Sequence, residues 1–113
     1  MRGMSKETGT SIARDPLPKV WLTGQLICAT TAEAAAVKAY LPRHRELSRA
    51  EPGCLIFEVH QSDDPLVWQV EECFVDEEAF VAHQKRAAAS EWGKVTAGIE
   101  RNYSVATYGA DES

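Results

Sequence analysis

A chain of 113 residues, 44% apolar and 26% charged, has the length and composition of one ordinary soluble domain built around a single core. Its formal net charge of −5 speaks against nucleic acid or an anionic membrane surface as a partner, because both need clustered Lys and Arg. No apolar run approaches the roughly 20 residues of a membrane span, and Met1 to Lys19 lacks the apolar stretch of a secretory leader. A cytoplasmic protein with a loose tail over residues 1–18 is the expectation.

Val20 to Ala29 is rich in large and β-branched apolar residues and reads as a first strand. Thr30, with Glu33 three residues on, has the spacing of a capping box, and the alanine-rich run after it favours a helix from about Thr31. The inward face of that helix is expected to hold Val37, Tyr40, Leu41, His44 and Leu47, with Lys38, Arg43 and Arg45 toward water. Pro42 should kink it just before His44. Glu51-Pro52-Gly53 ends it.

Cys54 to Gln61 is a second strand, Ser62-Asp63-Asp64-Pro65 a turn, and Leu66 to Val75 a third strand, so the two strands form a hairpin. Pairing symmetric about Asp63 and Asp64 puts Leu55, Phe57 and Val59 on one face with Trp68, Val70, Glu72 and Phe74. It also sets Cys54 opposite Cys73. Three cysteines without C-x-x-C spacing make neither a disulfide framework nor a structural zinc site, and they read as small buried thiols; a bond between Cys54 and Cys73 is left open.

At Asp76 the period changes from two to that of a helix. Asp76 is a good N-cap, Glu77 and Glu78 suit the positive end of the helix dipole, and Ala79, Phe80, His83 and Ala87 share one face. The helix is expected to run to about Ala89 and to resume around Trp92 and Val95. Asn102 to Tyr108 alternates as a fourth strand, and residues 109–113 form a polar end. The order βαββαβ, with right-handed crossovers, is that of a ferredoxin-like α+β domain with an antiparallel four-stranded sheet and both helices on one face. The other face carries Ile56, Val67 and cysteines among Gln and Glu, too apolar to stay wet, so a homodimer through that sheet face is expected.

The segments Ser48-Arg49-x-Glu51-Pro52-Gly53-Cys54, Asp63-Asp64-Pro65 and Glu72-x-Phe74-x-Asp76-Glu77-x-Ala79-Phe80-x-x-His83, in this order and spacing, resemble the antibiotic biosynthesis monooxygenase family. The likeness runs from about Val20 to Tyr108. It implies a small dimeric α+β barrel, a pocket between sheet and helices, and, for many members, oxygenation of quinols or anthrones by dioxygen without metal or flavin. His83 falls on the family's helix-two histidine and Glu72 on its strand-three glutamate. The chain departs from the pattern at Phe74, where such oxygenases usually carry tryptophan, and at Val70, near which some carry asparagine.

Cofactor-free oxygenation needs an electron-rich aromatic substrate, a base for its phenolic proton and a dry cavity. An imidazole beside a carboxylate is suited to the second task. His83, Glu72 and His44 are therefore the catalytic candidates, and Trp68, Phe74, Phe57, Tyr40, Val70 and Phe80 the candidates for holding a quinol or polycyclic phenol. Other readings stay open: a core histidine bonded to Glu72 for purely structural reasons, an iron site from His44, His83 and Glu72, a non-catalytic dimer that binds a small aromatic ligand, and a cofactor-free isomerase.

Overall fold

The structure, a computed structural model, describes residues 19–108; the expected tail of residues 1–18 and the end at residues 109–113 lie outside the described residues. The elements in chain order are β1 (Lys19–Ile27), α1 (Thr31–Arg49), β2 (Cys54–Gln61), β3 (Val67–Phe74), α2 (Glu77–Ala89), a short α3 (Glu91–Val95) and β4 (Glu100–Tyr108). The strands form one antiparallel sheet in the order β2-β3-β1-β4. This is the ferredoxin-like α+β arrangement.

Local signals account for where the helices start. Thr30 Oγ1 accepts from the Glu33 amide at 3.1 Å, while the Glu33 carboxylate reaches back to the Ala29 amide at 2.7 Å, one residue earlier than in a strict capping box. Asp76 Oδ1 accepts from the Ala79 amide at 2.8 Å and opens α2. Helix α1 runs through Pro42 without interruption, since that proline is exposed and the carbonyl it leaves free, on exposed Lys38, can meet water.

The inward stripe of α1 is Val37, Leu41, His44 and Ser48. Tyr40, expected inward, sits on the flank of that stripe and is 37% exposed. The inner face of the sheet supplies Val20, Leu22, Leu26, Phe57, Val59, Trp68, Val70 and Phe74, all buried. Phe57 and Phe74, at 2% and 0% exposure, each contribute about 2 to 3 kcal/mol of apolar burial.

The hairpin register differs from the symmetric pairing. Asp64 Oδ1 accepts from the Leu66 amide and the Asp64 carbonyl from the Val67 amide, so Pro65 and Leu66 belong to the turn. Phe57 therefore pairs with Glu72 and Val59 with Val70. An even slip keeps those side chains on the same face. A bulge between Cys54 and Ile56 does not: it turns Leu55 out to 48% exposure and sets Cys54 opposite Phe74, with Cys73 opposite Ile56. Cys54 and Cys73 do not face one another, and all three thiols are free.

Arg45, expected toward water, bonds instead to the sheet, as does Arg49. Arg49 donates from Nε and Nη2 to the Phe57 carbonyl at 3.1 and 2.7 Å, and Arg45 Nη2 donates to the Val59 carbonyl at 2.8 Å. They occupy acceptors of β2, which is an edge strand. Arg43 pairs with Glu46 at the surface.

Candidate active site

Between the inner sheet face and the helices lies a cavity of about 400 Å³. Leu22, Leu26, Phe57, Val59, Val70, Glu72, Arg101 and Tyr103 form its floor from all four strands. His44, His83, Gln84, Ala87, Ala88, Trp92, Gly93 and Ala97 form its roof. Its size suits one planar ring system.

His83 is the one buried residue of α2. Its Nδ1 lies 2.9 Å from Glu51 Oε1, and its Nε2 lies 3.6 Å from Glu72 Oε1. Phe74 packs on the imidazole at 4.9 Å between ring centroids, with Phe57 at 6.0 Å and His44 at 5.9 Å. Glu51 in turn accepts a bond from Arg86 Nε at its other oxygen, and Arg86 Nη2 donates to Ser48 Oγ at 3.0 Å. The imidazole is thus braced on one edge by an ion-paired carboxylate and faces the second carboxylate with the other.

Burial pushes the Glu72 carboxyl up to about 7, the charge of Glu51 pushes in the same direction, and Arg101 opposes both. At 3.6 Å from Nε2, Glu72 Oε1 is beyond hydrogen-bond length, so it is a buried oxygen without a hydrogen-bond partner. Burial also holds the His83 imidazole below its ordinary value, against the bond and charge of Glu51. His44 is brought down to about 3, first by burial and then by the charges of His83, Arg86 and Arg101, so it is neutral at physiological pH. It stacks on Trp92 at 4.6 Å with planes 5° apart, and its Nδ1 is buried without a partner. Tyr103 is pushed up to about 12, mainly by burial, and is a neutral phenol.

A cavity with two buried polar atoms left unsatisfied, a neutral imidazole and a clamped one is arranged for a small molecule carrying oxygen functions. The sequence profile described as antibiotic biosynthesis monooxygenase matches residues 28–95, more than half of the chain. The chain belongs to the antibiotic biosynthesis monooxygenase family. A Nitrosomonas europaea structure that carries the same family name is 24% identical, with a TM-score of 0.64 over 84% of this chain and 91% of that one. A Bacteroides thetaiotaomicron structure, also bearing the family name, is 22% identical with a TM-score of 0.62, covering 83% of this chain and 88% of that one. A Pseudomonas aeruginosa protein is 24% identical with a TM-score of 0.58, covering 83% and 94%. These likenesses establish the fold. A comparison with curated proteins finds no match.

Within this family framework the expected site residues divide. His83, Glu72, His44, Phe57 and Val70 line the cavity together. Phe74 lies behind His83 and meets Phe80 edge-on at 5.7 Å, and Phe80 is a half-buried residue packed against the core. Trp68 is buried in the core and Tyr40 is exposed; neither lines the cavity. Among the described residues no group of three or more His, Cys, Asp or Glu is placed to hold a metal. No described helix is long and apolar enough to cross a membrane.

Three roles at the site have no counterpart in the reading of the sequence. Trp92 stands there only as part of a resumed helix, yet it supplies the plate on which His44 lies. Tyr103, in the sequence only one residue of the alternating last strand, lines the cavity with Arg101. Glu51, in the sequence a helix stop, holds His83. A signal for Glu51 exists: it continues the inward spacing 37, 41, 44, 48 by three residues.

Proposed function

We propose that the protein is a cofactor-independent monooxygenase acting on a quinol or polycyclic phenol, in the manner its family name suggests. The observation that carries this reading is the buried His83 with its Nε2 toward Glu72 at the wall of a cavity of ring size. The phenolic proton passes to the His83–Glu72 pair. The resulting anion, in a site lined by Leu22, Leu26, Val59 and Val70, is poor in water and rich in electron density, which favours transfer of an electron to dioxygen. One oxygen atom enters the ring and the other leaves as water. All four electrons come from the substrate, so a quinol emerges as a hydroxylated quinone and no outside reductant is used. His44 Nδ1, buried and without a partner, meets a second substrate oxygen, and Trp92 and Phe57 bound the ring.

Oxygen uptake with a panel of hydroquinones and anthrones tests this. The wild type should consume oxygen with at least one of them, and His83→Ala should lose on the order of 100-fold or more in kcat. Uptake with no panel member, or uptake indifferent to His83→Ala, would sink the reading. A second reading, binding without turnover, draws on Val70, an apolar wall position that offers an oxyanion no donor. Saturable quenching of tryptophan fluorescence by a hydroquinone that is never oxidised would mark it.

A further inference from the structure

Glu51 does more than close a helix. Its two oxygens have separate partners: Oε2 accepts a hydrogen bond from Arg86 Nε and Oε1 faces His83 Nδ1 at 2.9 Å. Arg86 is anchored by Ser48, which is fully buried, and a guanidinium has only donors to offer. A carboxylate held this way is an acceptor on both sides. The nitrogen it faces must therefore carry a hydrogen in the neutral as well as the charged imidazole.

We propose that Glu51 is a positioning residue for the proton chemistry of the cavity: it keeps a proton on His83 Nδ1, leaves the Nε2 lone pair facing Glu72, and so confines the site's exchangeable proton to the space between Nε2 and the Glu72 carboxyl. Two buried acceptors 3.6 Å apart repel unless a proton lies between them. With that proton present the pair is either a carboxylic acid facing a neutral imidazole or an imidazolium facing a carboxylate. With it absent the pair has a vacancy for the proton of a substrate hydroxyl. The other ionisable groups around His83 are Arg86 on its own helix, His44 on α1, and Arg101 and Tyr103 across the cavity on β4; none of them accepts from Nδ1. The role in turnover rests on the proposed monooxygenase reading, whereas the tautomer does not.

The two are tested separately. Nitrogen-15 NMR of the histidine rings, with His83 assigned by its loss in His83→Asn, reads which ring nitrogen carries hydrogen. The wild type should show His83 protonated on Nδ1. In Glu51→Gln the amide oxygen must serve Arg86, which only donates, so the amide NH₂ turns to His83 and the tautomer inverts to Nε2–H. Glu51→Asp, which keeps an acceptor, should keep the Nδ1–H form. In oxygen uptake, Glu51→Gln should lower kcat on the order of 100-fold with little change in KM and displace the rising limb of the pH profile, while Glu51→Asp retains most of the activity. A neutral wild-type His83 that carries its hydrogen on Nε2 and none on Nδ1 overturns the proposal even if Glu51→Gln does not fold. So does a Glu51→Gln protein with unchanged tautomer and pH profile. Absence of uptake in the wild type with every hydroquinone defeats the functional reading and leaves the tautomer result standing.

Discussion

Glu72, on the floor of the cavity, and His44, on its roof, respond to pH in opposite senses. The Glu72 carboxyl, lifted from 4.5 to about 7, holds its proton more tightly in the folded chain than in the unfolded one. Its contribution to stability is complete below about pH 4.5 and is lost as the pH rises through 7. His44, lowered from 6.5 to about 3, is the reverse: the folded chain refuses a proton that the unfolded chain accepts, so its burial costs stability as the pH falls below 6.5. Replacing Glu72 by Gln removes the first effect and leaves the second. Relative to wild type, the unfolding free energy of Glu72→Gln should rise by on the order of 3 kcal/mol between about pH 4 and pH 8, since holding a proton over each further pH unit is worth about 1.4 kcal/mol. Urea titrations across that range measure it, and a flat difference would show that Glu72 ionises as freely in the folded chain as outside it.

At the scale of an element, the short α3 decides the shape of the cavity roof. Ser90 caps it, accepting from the Gly93 amide at 3.2 Å, and the turn presses so close to the end of α2 that a Cβ on Gly93 would lie 2.3 Å from the Ala87 carbonyl and 2.6 Å from that of Ala88. Both obstacles are backbone, so they cannot swing aside. Glycine is what lets Trp92 come down onto His44. Gly93→Ala should destabilise the fold by about 1 to 3 kcal/mol and move Trp92 off the imidazole, visible as a lower Tm and a shifted tryptophan emission. An unchanged Tm would mean that α3 yields without cost. Gly24 in β1 is a second such position, with φ of 148° and the Asn102 carbonyl 2.1 Å from where a Cβ would stand; it lets β4 lie close beside β1 under the cavity floor.

For the molecule as a whole, the uncovered sheet face is the feature that a single chain leaves unresolved. Trp21, Ile27, Ile56, Val67 and Ala106 stand half-buried there, alternating with the polar Thr23, Gln25, Gln69 and Glu71. A second copy packed on this face is the arrangement the family resemblance implies, and burying such a mixed surface favours a symmetric partner over bulk water. Light scattering should therefore report twice the chain mass, with Ile56→Lys shifting the protein toward a single chain while His83 and its partners, on the opposite face, remain intact. A wild type that stays at one chain mass at micromolar concentration would exclude this dimer.

Alternation along β3, the caps at Thr30 and Asp76, and the turn residues around Asp64 are encoded within a few neighbours, and those neighbours suffice to give element order, fold class and the presence of His83, Glu72, His44, Phe57 and Val70 on facing surfaces. Period and capping are properties of short segments, which is why they can be read without coordinates. What joins distant segments cannot be read so. The Leu55 bulge, the hairpin register set by the Asp64 turn, the Glu51–Arg86 clamp and the Trp92 plate each depend on which backbone reaches which across the core. The chain alone names two imidazoles and one acid, His83, His44 and Glu72; only the packing of the α1–β2 turn against α2 brings in Glu51 at His83 Nδ1 and leaves Glu72 facing Nε2.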